Sequence, residues 1–405
     1  MRIGLIAEHY PPTEGGVATS ARRIARNLAS LGAQVHVVTF DHSRPVTSED
    51  YVVQGWDGDV AVTRVGPFFL KQPGLSADAL PEKTRATLRR RAFAQVSGVL
   101  QTARSDVLLG LYLLNAGFLA LFAARELGIP CVAGVRGNDI GRNIFNVERF
   151  AVVQWIVRGA AAVVCVNEHL KRRLLLAFPE VTSRASVIAN SIEPAPSPPG
   201  EPAFVEARRR LGWHQAEMVA VFIGTLREKK GVVALVGAIA DLRSQADVRL
   251  LVVGPDLGKA ERFLCGDLWE ELLAEGRVFV TGRVAREEVP FWASAGDVVV
   301  MPSLDDGLAN GLLEGMALGL CPVASTPIFD DVLQHERTGL LVAAGRKESI
   351  SAAVLRLARN EELRRAMGKA ARESLARWLP RDEASAYMRV CAGAIAGSPE
   401  GLGEV

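Results

Sequence analysis

The sequence predicts an α/β protein of two domains, each built on a parallel sheet, facing one another across a central cleft. Three observations lead there. Short apolar runs alternate with helical periodicity from the first residues onward, the pattern of parallel strands joined by helical crossovers. Near the middle, residues 194–202 hold five prolines and no apolar pattern, which marks an extended linker. Beyond it a second strand–helix series begins. A chain of 405 residues has room for about two or three domains with real cores. Open α/β sheets bind ligands at the carboxyl ends of their strands, and a cleft between two of them suits a two-substrate reaction.

The first domain, expected over 1–193, opens with the apolar run Arg2–Ala7. A Pro- and Gly-bearing loop at 11–16, a helix over 17–31 and a strand at Gln34–Phe40 follow. Further strands are expected at Cys131–Val135, 162–166 and 186–188. Residues 107–124 are almost continuously apolar, near the lower limit for a membrane span. Gly110, Asn115 and Gly117 interrupt that run, so it reads as a buried strand over 107–109 and a buried helix over 116–127. After a linker at 194–203 the second domain is expected over 204–379. Its strands are read at Met218–Ile223, 249–253, Val278–Val280, Val298–Met301 and 322–324, with helices around 232–244, 310–318 and 349–359. Residues 380–397 read as a helix packing back toward the first domain, and 398–405 as a polar tail.

Composition narrows the function. Apolar residues make up 49% and charged residues 23%, ordinary for a folded globular chain. A net charge of +2 lacks the basic excess of a nucleic-acid partner. The five cysteines are scattered and never spaced C-x-x-C, so neither a disulfide framework nor a zinc site is expected, and a reducing compartment fits. The N-terminal apolar run is too short for a signal peptide. These features together predict a cytoplasmic protein. Basic clusters at 83–91, 171–173 and 208–210 read either as solvated helix faces or as faces attracted to an anionic membrane.

The most informative stretch runs from Pro302 to Gly319, where a strand passes through a loop into a helix near Asn310. A helix N-terminus exposes unpaired N–H groups and the positive end of the dipole, so a diphosphate fits there. Glu314 lies about 6 Å along the axis from Asn310. That spacing brings a ribose diol beside the diphosphate within its reach, and a carboxylate only accepts hydrogen bonds. Asp306 lies in the preceding loop. Equally, Glu314 reads as a complement to the helix dipole and Asp306 as a turn residue.

A second stretch, 222–231, is again a strand running into a loop. Arg227, Lys229 and Lys230 bring positive charge to the strand end. A departing nucleoside diphosphate gains negative charge, which fixed cations stabilise. A close charge pair contributes about 4 kcal/mol at an effective dielectric near 20, against at most about 2 for a helix terminus. A solvated basic loop is the competing reading.

These two stretches, in this order, resemble the retaining family-4 glycosyltransferases of the GT-B fold, which consists of two Rossmann-like domains. Asp306 to Glu314 is similar to the family's E-x7-E element, with Asp at the first position. Residues 222–231 are similar to its G-R-L-x-x-x-K-G element, with Thr225 where Arg is usual and Lys230 in place. The loop ending in Gly15 and Gly16 looks like its N-terminal glycine loop. Residues 187–193, 251–254, 280–284 and 338–342 agree with further segments, so the resemblance covers nearly the whole chain. It implies that Glu314 holds the donor ribose and Asp306 contacts the transferred sugar. It further implies that backbone N–H groups near Asn310, Gly311 and Leu312 hold the diphosphate, that Lys230 stabilises the leaving group, and that Val284 lies beside the nucleobase. Gly15, Gly16, Gly224, Thr225, Gly254 and Gly307 complete the donor-side set. Arg227, by charge and closeness, is expected to replace the arginine missing at 225. The implied donor is a UDP- or GDP-sugar, with no metal and no other cofactor.

The acceptor side is less defined, and the acceptor is unknown. Arg136 stands where the family often has His, in the segment that continues to Asn138 and Asp139. It reads either as a ligand for an acceptor carboxylate or phosphate, or as the partner of Asp139. His9, at the end of the first strand, reads as a structural histidine or as a proton carrier. Gly15 and Gly16 read as a tight turn or as a close approach to phosphate. Two other functions stay open on the sequence: a sugar-nucleotide-binding partner without catalysis, and a sugar-nucleotide epimerase on the same fold.

Overall fold

The computed structural model describes residues 1–13, 15–41, 49–66, 81–141, 143–192, 201–213 and 218–397. The chain divides into two compact units, Met1–Asn190 with Pro380–Val405 and Ser191–Leu379.

The first unit carries strands β1 (Arg2–Ala7), β2 (Gln34–Phe40), β3 (Tyr51–Asp57), β4 (Val60–Gly66), β5 (Val107–Leu111), β6 (Cys131–Val135), β7 (Ala162–Cys165) and β8 (Ala185–Val187). Among the described residues they form one sheet in the order β3-β4-β2-β1-β5-β6-β7-β8. Every neighbouring pair is parallel except the edge hairpin β3–β4. Its helices are α1 (Gly16–Ser30), α2 (Glu82–Ala103), α3 (Phe118–Leu127), α4 (Asn138–Gly141), α5 (Val147–Gly159) and α6 (Glu168–Ala177), with the C-terminal helix Pro380–Ala396. The central strands are apolar on both faces because helices cover both. Leu5 lies opposite Val37 on one side and Leu109 on the other, and all three join the buried core with Ile24 and Leu28 of α1.

The C-terminal helix contributes Tyr387 and Cys391 to that core. A buried polar network also holds it. Arg23 of α1 donates from Nε and Nη2 to the Glu383 carboxylate at 2.8 and 2.9 Å, and from Nη2 to Asn190 Oδ1 at 3.1 Å. Arg136 donates to the same Asn190 oxygen and to the Tyr387 hydroxyl at 3.2 Å.

The second unit carries β9 (Met218–Ile223), β10 (Val248–Val253), β11 (Val278–Val280), β12 (Val298–Met301), β13 (Cys321–Thr326) and β14 (Leu340–Ala343). They form a parallel sheet in the order β11-β10-β9-β12-β13-β14. Its helices are α7 (Glu201–Leu211), α8 (Val232–Asp241), α9 (Lys259–Cys265), α10 (Leu268–Ala274), α11 (Val289–Ala293), α12 (Asn310–Ala317), α13 (Lys347–Ala358) and α14 (Glu361–Ser374). Strand β9 is buried along its whole length, the signature of a central strand.

Several elements differ from the sequence reading. Strand β5 runs to Leu111, not Leu109, and a π-helical turn Leu113–Gly117 precedes α3. That turn closes through the Gly117 N–H on the Tyr112 carbonyl at 2.7 Å. The β3–β4 hairpin was not anticipated, although Gly58-Asp59 between two β-rich runs is its turn signal. The division between units falls after Asn190, where Ile192 N–H already bonds the Trp378 carbonyl at 3.0 Å within the second unit. Helix α7 begins at Glu201, inside the expected linker, because a proline is tolerated in the first helical turn. The rest of that linker and the tail at 398–405 lie outside the described residues. All five cysteines are free thiols. Among the described residues no helix is long and apolar enough to cross a membrane.

Removing one partner of a buried ion pair leaves an uncompensated charge, at a cost of about 3–5 kcal/mol. The Arg23 and Glu383 side chains are 5% and 2% exposed. Glu383→Ala is therefore expected to destabilise the protein by about 3–5 kcal/mol in urea unfolding. A loss below about 1 kcal/mol, the scale of a surface pair, would show that the pair does not hold the C-terminal helix.

Candidate functional site

The second sheet is parallel, so the loops after β9, β10, β11 and β12 leave from one edge, at adjacent strands. The donor-side residues expected from sequence in the second domain lie there. The loop after β9 carries Gly224, Thr225, Arg227 and Lys230, and that after β10 begins at Gly254. Gly254 N–H donates to Thr281 Oγ1 at 3.2 Å, joining this loop to the one that holds Val284. The loop after β12 carries Asp306 and Gly307 and leads into α12.

The loops after β9 and β12 touch backbone to backbone. Gly231 has φ +75°, and a Cβ there would lie 2.0 Å from the Pro302 carbonyl oxygen, so only glycine fits. The Lys229 carbonyl accepts N–H bonds from Leu304 at 2.8 Å and Asp305 at 3.2 Å. This contact delivers Lys230 Nζ to Asp306 Oδ2 as an ion pair. Asp306 also accepts from Gly307 N–H at 3.0 Å and from Ser303 Oγ at 3.3 Å. Ser325 Oγ in turn donates to the Ser303 carbonyl at 2.6 Å. Asp306 was expected to face the transferred sugar. In the structure it is buried and bonded to Lys230, Ser303 and Gly307, because the loop contact puts the lysine ammonium against it.

Helix α12 packs closely on the sheet. A Cβ on Gly311 would lie 2.3 Å from the Ile223 carbonyl oxygen, so the glycine lets the helix start over the end of β9. No side chain caps its N-terminus, and the Leu312 side chain is buried while its N–H reaches back to the Ala309 carbonyl at 3.1 Å. The positive end of the helix dipole thus points to the same edge. The Glu314 side chain is half-buried and makes no hydrogen bond or ion pair among the described residues. Burial pushes its carboxyl pKa up, and the charge of Arg286 pulls partly the other way. Arg227 is mostly exposed, with Nη1 3.6 Å from Glu261 Oε1. Ser303, Arg286 and Glu261 were missed in the sequence. Only Ser303, three residues before Asp306, carried a local signal.

In the first unit the acceptor-side residues, and the donor-side Gly15 and Gly16, lie beyond the carboxyl edges of β1 and β6. Gly15 caps α1 with φ +117° and no neighbour within 4 Å of a would-be Cβ, so the backbone turn alone requires glycine. Gly16 begins that helix. His9 Nε2 lies 3.8 Å from Glu8 Oε1. The Arg136 guanidinium is buried on Asn190 and Tyr387, while its charge still acts on Asp139 nearby. Asp139 instead binds two backbone N–H groups, those of Arg136 at 2.9 Å and Leu113 at 3.0 Å. The Asn138 side chain lies outside the described residues. Among those residues no three His, Cys, Asp or Glu side chains gather as metal ligands.

Two units with parallel sheets, the second with two cations and a helix terminus at its carboxyl edge, define a GT-B glycosyltransferase. Residues 204–374 match the family model of glycosyl transferases group 1, and residues 14–195 match glycosyltransferase family 4. The chain belongs to these group 1, family-4-like glycosyltransferases. It is 29% identical over 404 residues to a D-inositol 3-phosphate glycosyltransferase of Corynebacterium urealyticum, covering 93% of this chain and 92% of that one. It is 26% identical over 389 residues to a GDP-mannose-dependent alpha-(1-6)-phosphatidylinositol monomannoside mannosyltransferase of Mycobacterium tuberculosis, covering 92% and 93%. Among solved structures, sucrose-phosphate synthase from Thermosynechococcus elongatus superposes with a TM-score of 0.77 at 20% identity, over 98% of this chain and 99% of that one. Anabaena HepE in complex with UDP and glucose superposes with a TM-score of 0.74 at 16% identity, over 97% and 99%.

Burial raises the Asp139 pKa from 3.8 to about 6; the two backbone N–H bonds oppose this and the nearby Glu8 charge adds to it. Between those values the folded protein holds a proton that the unfolded chain has released. Stability therefore falls as pH rises from about 4 to about 6, by roughly 3 kcal/mol from this group. Asp139→Asn is expected to remove that slope. Urea unfolding of both proteins at pH 4, 5, 6 and 7 tests it, and a wild-type-minus-variant difference that stays flat with pH would refute the assignment.

Proposed function

We propose that this glycosyltransferase is a retaining enzyme that moves a hexose from a UDP- or GDP-sugar to an acceptor hydroxyl of a glycan, lipid-linked or small molecule, without a metal ion. The observation that carries the reading is the meeting of Lys230, Asp306 and the start of α12 at one sheet edge. A diphosphate there faces the Lys230 ammonium, the Arg227 guanidinium and the amides of Asn310, Gly311 and Leu312. Glu314, without a protein partner, accepts hydrogen bonds from the ribose, and Val284 borders the base. Asp306 acts chiefly by holding Lys230. Its fixed position means the cation need not be reorganised as charge develops on the leaving group.

In the reaction, the bond from the anomeric carbon to the diphosphate oxygen breaks and its electron pair stays on that oxygen. The acceptor oxygen bonds the same carbon from the same face, and its proton passes to the departing diphosphate. Acceptor contacts fall to the first unit, around His9 and the segment of Asn138 and Asp139. The names of the relatives support a nucleotide-sugar donor: one uses GDP-mannose and one neighbour holds UDP.

Loss of a charge-stabilising donor costs about 10²–10³ in kcat. Lys230→Ala is expected to reduce kcat for sugar transfer by about that factor and Glu314→Ala to weaken donor binding, in EDTA as well as in its absence, with product anomers read by NMR. Full turnover by the first and unchanged donor binding by the second would remove these roles, and an inverted anomer would overturn the retaining course.

The reading includes peripheral contact with an anionic membrane. Phe145, Val147 and Leu176 are large apolar side chains 77–88% exposed. Arg173 bonds the Gly141 carbonyl at 3.2 Å and so ties α6, with Lys171 and Arg172, to the segment leading to Phe145. Co-sedimentation with vesicles containing phosphatidylglycerol is expected, weakened by salt and by Phe145→Ser with Leu176→Ser. Equal binding to neutral vesicles, or none, would end this part of the reading.

A further inference from the structure

We propose that Glu261 is a positioning residue that holds the Arg227 guanidinium over the donor-diphosphate site. The inference rests on the donor-site reading given above. The loop after β9 sends two of its three cations, Lys230 and Arg227, to opposite sides. Lys230 turns toward the loop after β12 and meets Asp306; Arg227 turns toward the segment after β10 and meets Glu261 of α9. Each cation thus has a carboxylate from the neighbouring segment.

The two pairs differ in a way that bears on function. Lys230 and Asp306 are both largely buried, whereas Arg227 is 58% exposed and Glu261 only 8%. The Arg227–Glu261 separation of 3.6 Å exceeds a hydrogen bond, so the attraction is electrostatic and leaves the guanidinium donors available. Glu261 Oε2 is buried and accepts no hydrogen bond among the described residues. An orphaned buried carboxylate oxygen is costly to keep. The chain makes room for it: a Cβ on Gly258 would lie 2.7 Å from that oxygen. Arg262 of the same helix is engaged by Asp256 and Glu270. Arg227 is therefore the cation within ion-pair reach of Glu261 among the described residues. A negative charge fixed in a low-dielectric wall restrains a long, solvent-exposed arginine without consuming its hydrogen bonds. The guanidinium stays free to fork onto a diphosphate, as its geometry favours.

Calorimetric binding of UDP, GDP, uridine and guanosine to wild type, Glu261→Gln, Arg227→Ala and the double variant tests this. Glu261→Gln is expected to weaken binding of the diphosphate by about threefold to tenfold and to leave the matching nucleoside unchanged. In the Arg227→Ala background the Glu261 change is expected to have no further effect, as coupled partners require. Additive losses, equal weakening of diphosphate and nucleoside, or unchanged diphosphate binding would each overturn the proposal. If Glu261→Gln does not fold, Glu261→Asp is read by the same contrast. A wild type that binds neither diphosphate and transfers no sugar would instead defeat the donor-site reading itself, and this inference with it.

Discussion

Where the chain leaves β9 and where it leaves β12, two loops run so close that the Pro302 carbonyl occupies the space a side chain on Gly231 would need. Much of the candidate donor site follows from that contact. It lets one carbonyl, that of Lys229, hold two N–H groups of the opposite loop, and it places Lys230 against Asp306. It also aligns the start of α12 with the end of β9. The site is therefore a property of the sheet edge, with the backbone as its scaffold and the charged side chains as its reactive surface. Cations held this way act more strongly on a developing negative charge than the helix terminus beside them.

The first unit uses charge differently. Arg23, Arg136, Asn190, Glu383 and Tyr387 form a buried polar network that joins the C-terminal helix to the sheet. Low dielectric makes such a network strong when satisfied and costly when broken. It withdraws Arg136 from the surface, so this chain's substitution at the family's usual histidine is absorbed by the fold. Asp139, nearby, ties the turn after β5 to the turn after β6 through two backbone N–H groups. Two residues after Thr225, the second departure, Arg227 lies 3.6 Å from the buried Glu261 carboxylate.

Much of the architecture was legible in the sequence because local patterning and burial agreed. Strands Cys131–Val135, Met218–Ile223, Val278–Val280 and Val298–Met301 stand where the apolar runs predicted them, since strands covered on both faces need apolar residues throughout. The edge hairpin β3–β4 escaped because its outer strand is exposed and mixed in character, leaving no burial signal. The π-helical turn escaped because its apolar composition is that of any buried helix.

The sequence by itself determined the α/β class, the parallel pairing of the inner strands in each half, and which residue types end up at the second sheet's carboxyl edge: lysine, arginine, aspartate, glutamate and glycine at spacings short enough to read along the chain. Only the tertiary structure decided their partners. That Asp306 holds Lys230, that Arg136 is buried on Asn190 and Tyr387, and that Glu261 faces Arg227 all depend on loops from different strands meeting. Residues 34 to 251 positions apart come together in those contacts. No local periodicity encodes such meetings, because they arise from the packing of whole strands and helices, each chosen for reasons of its own.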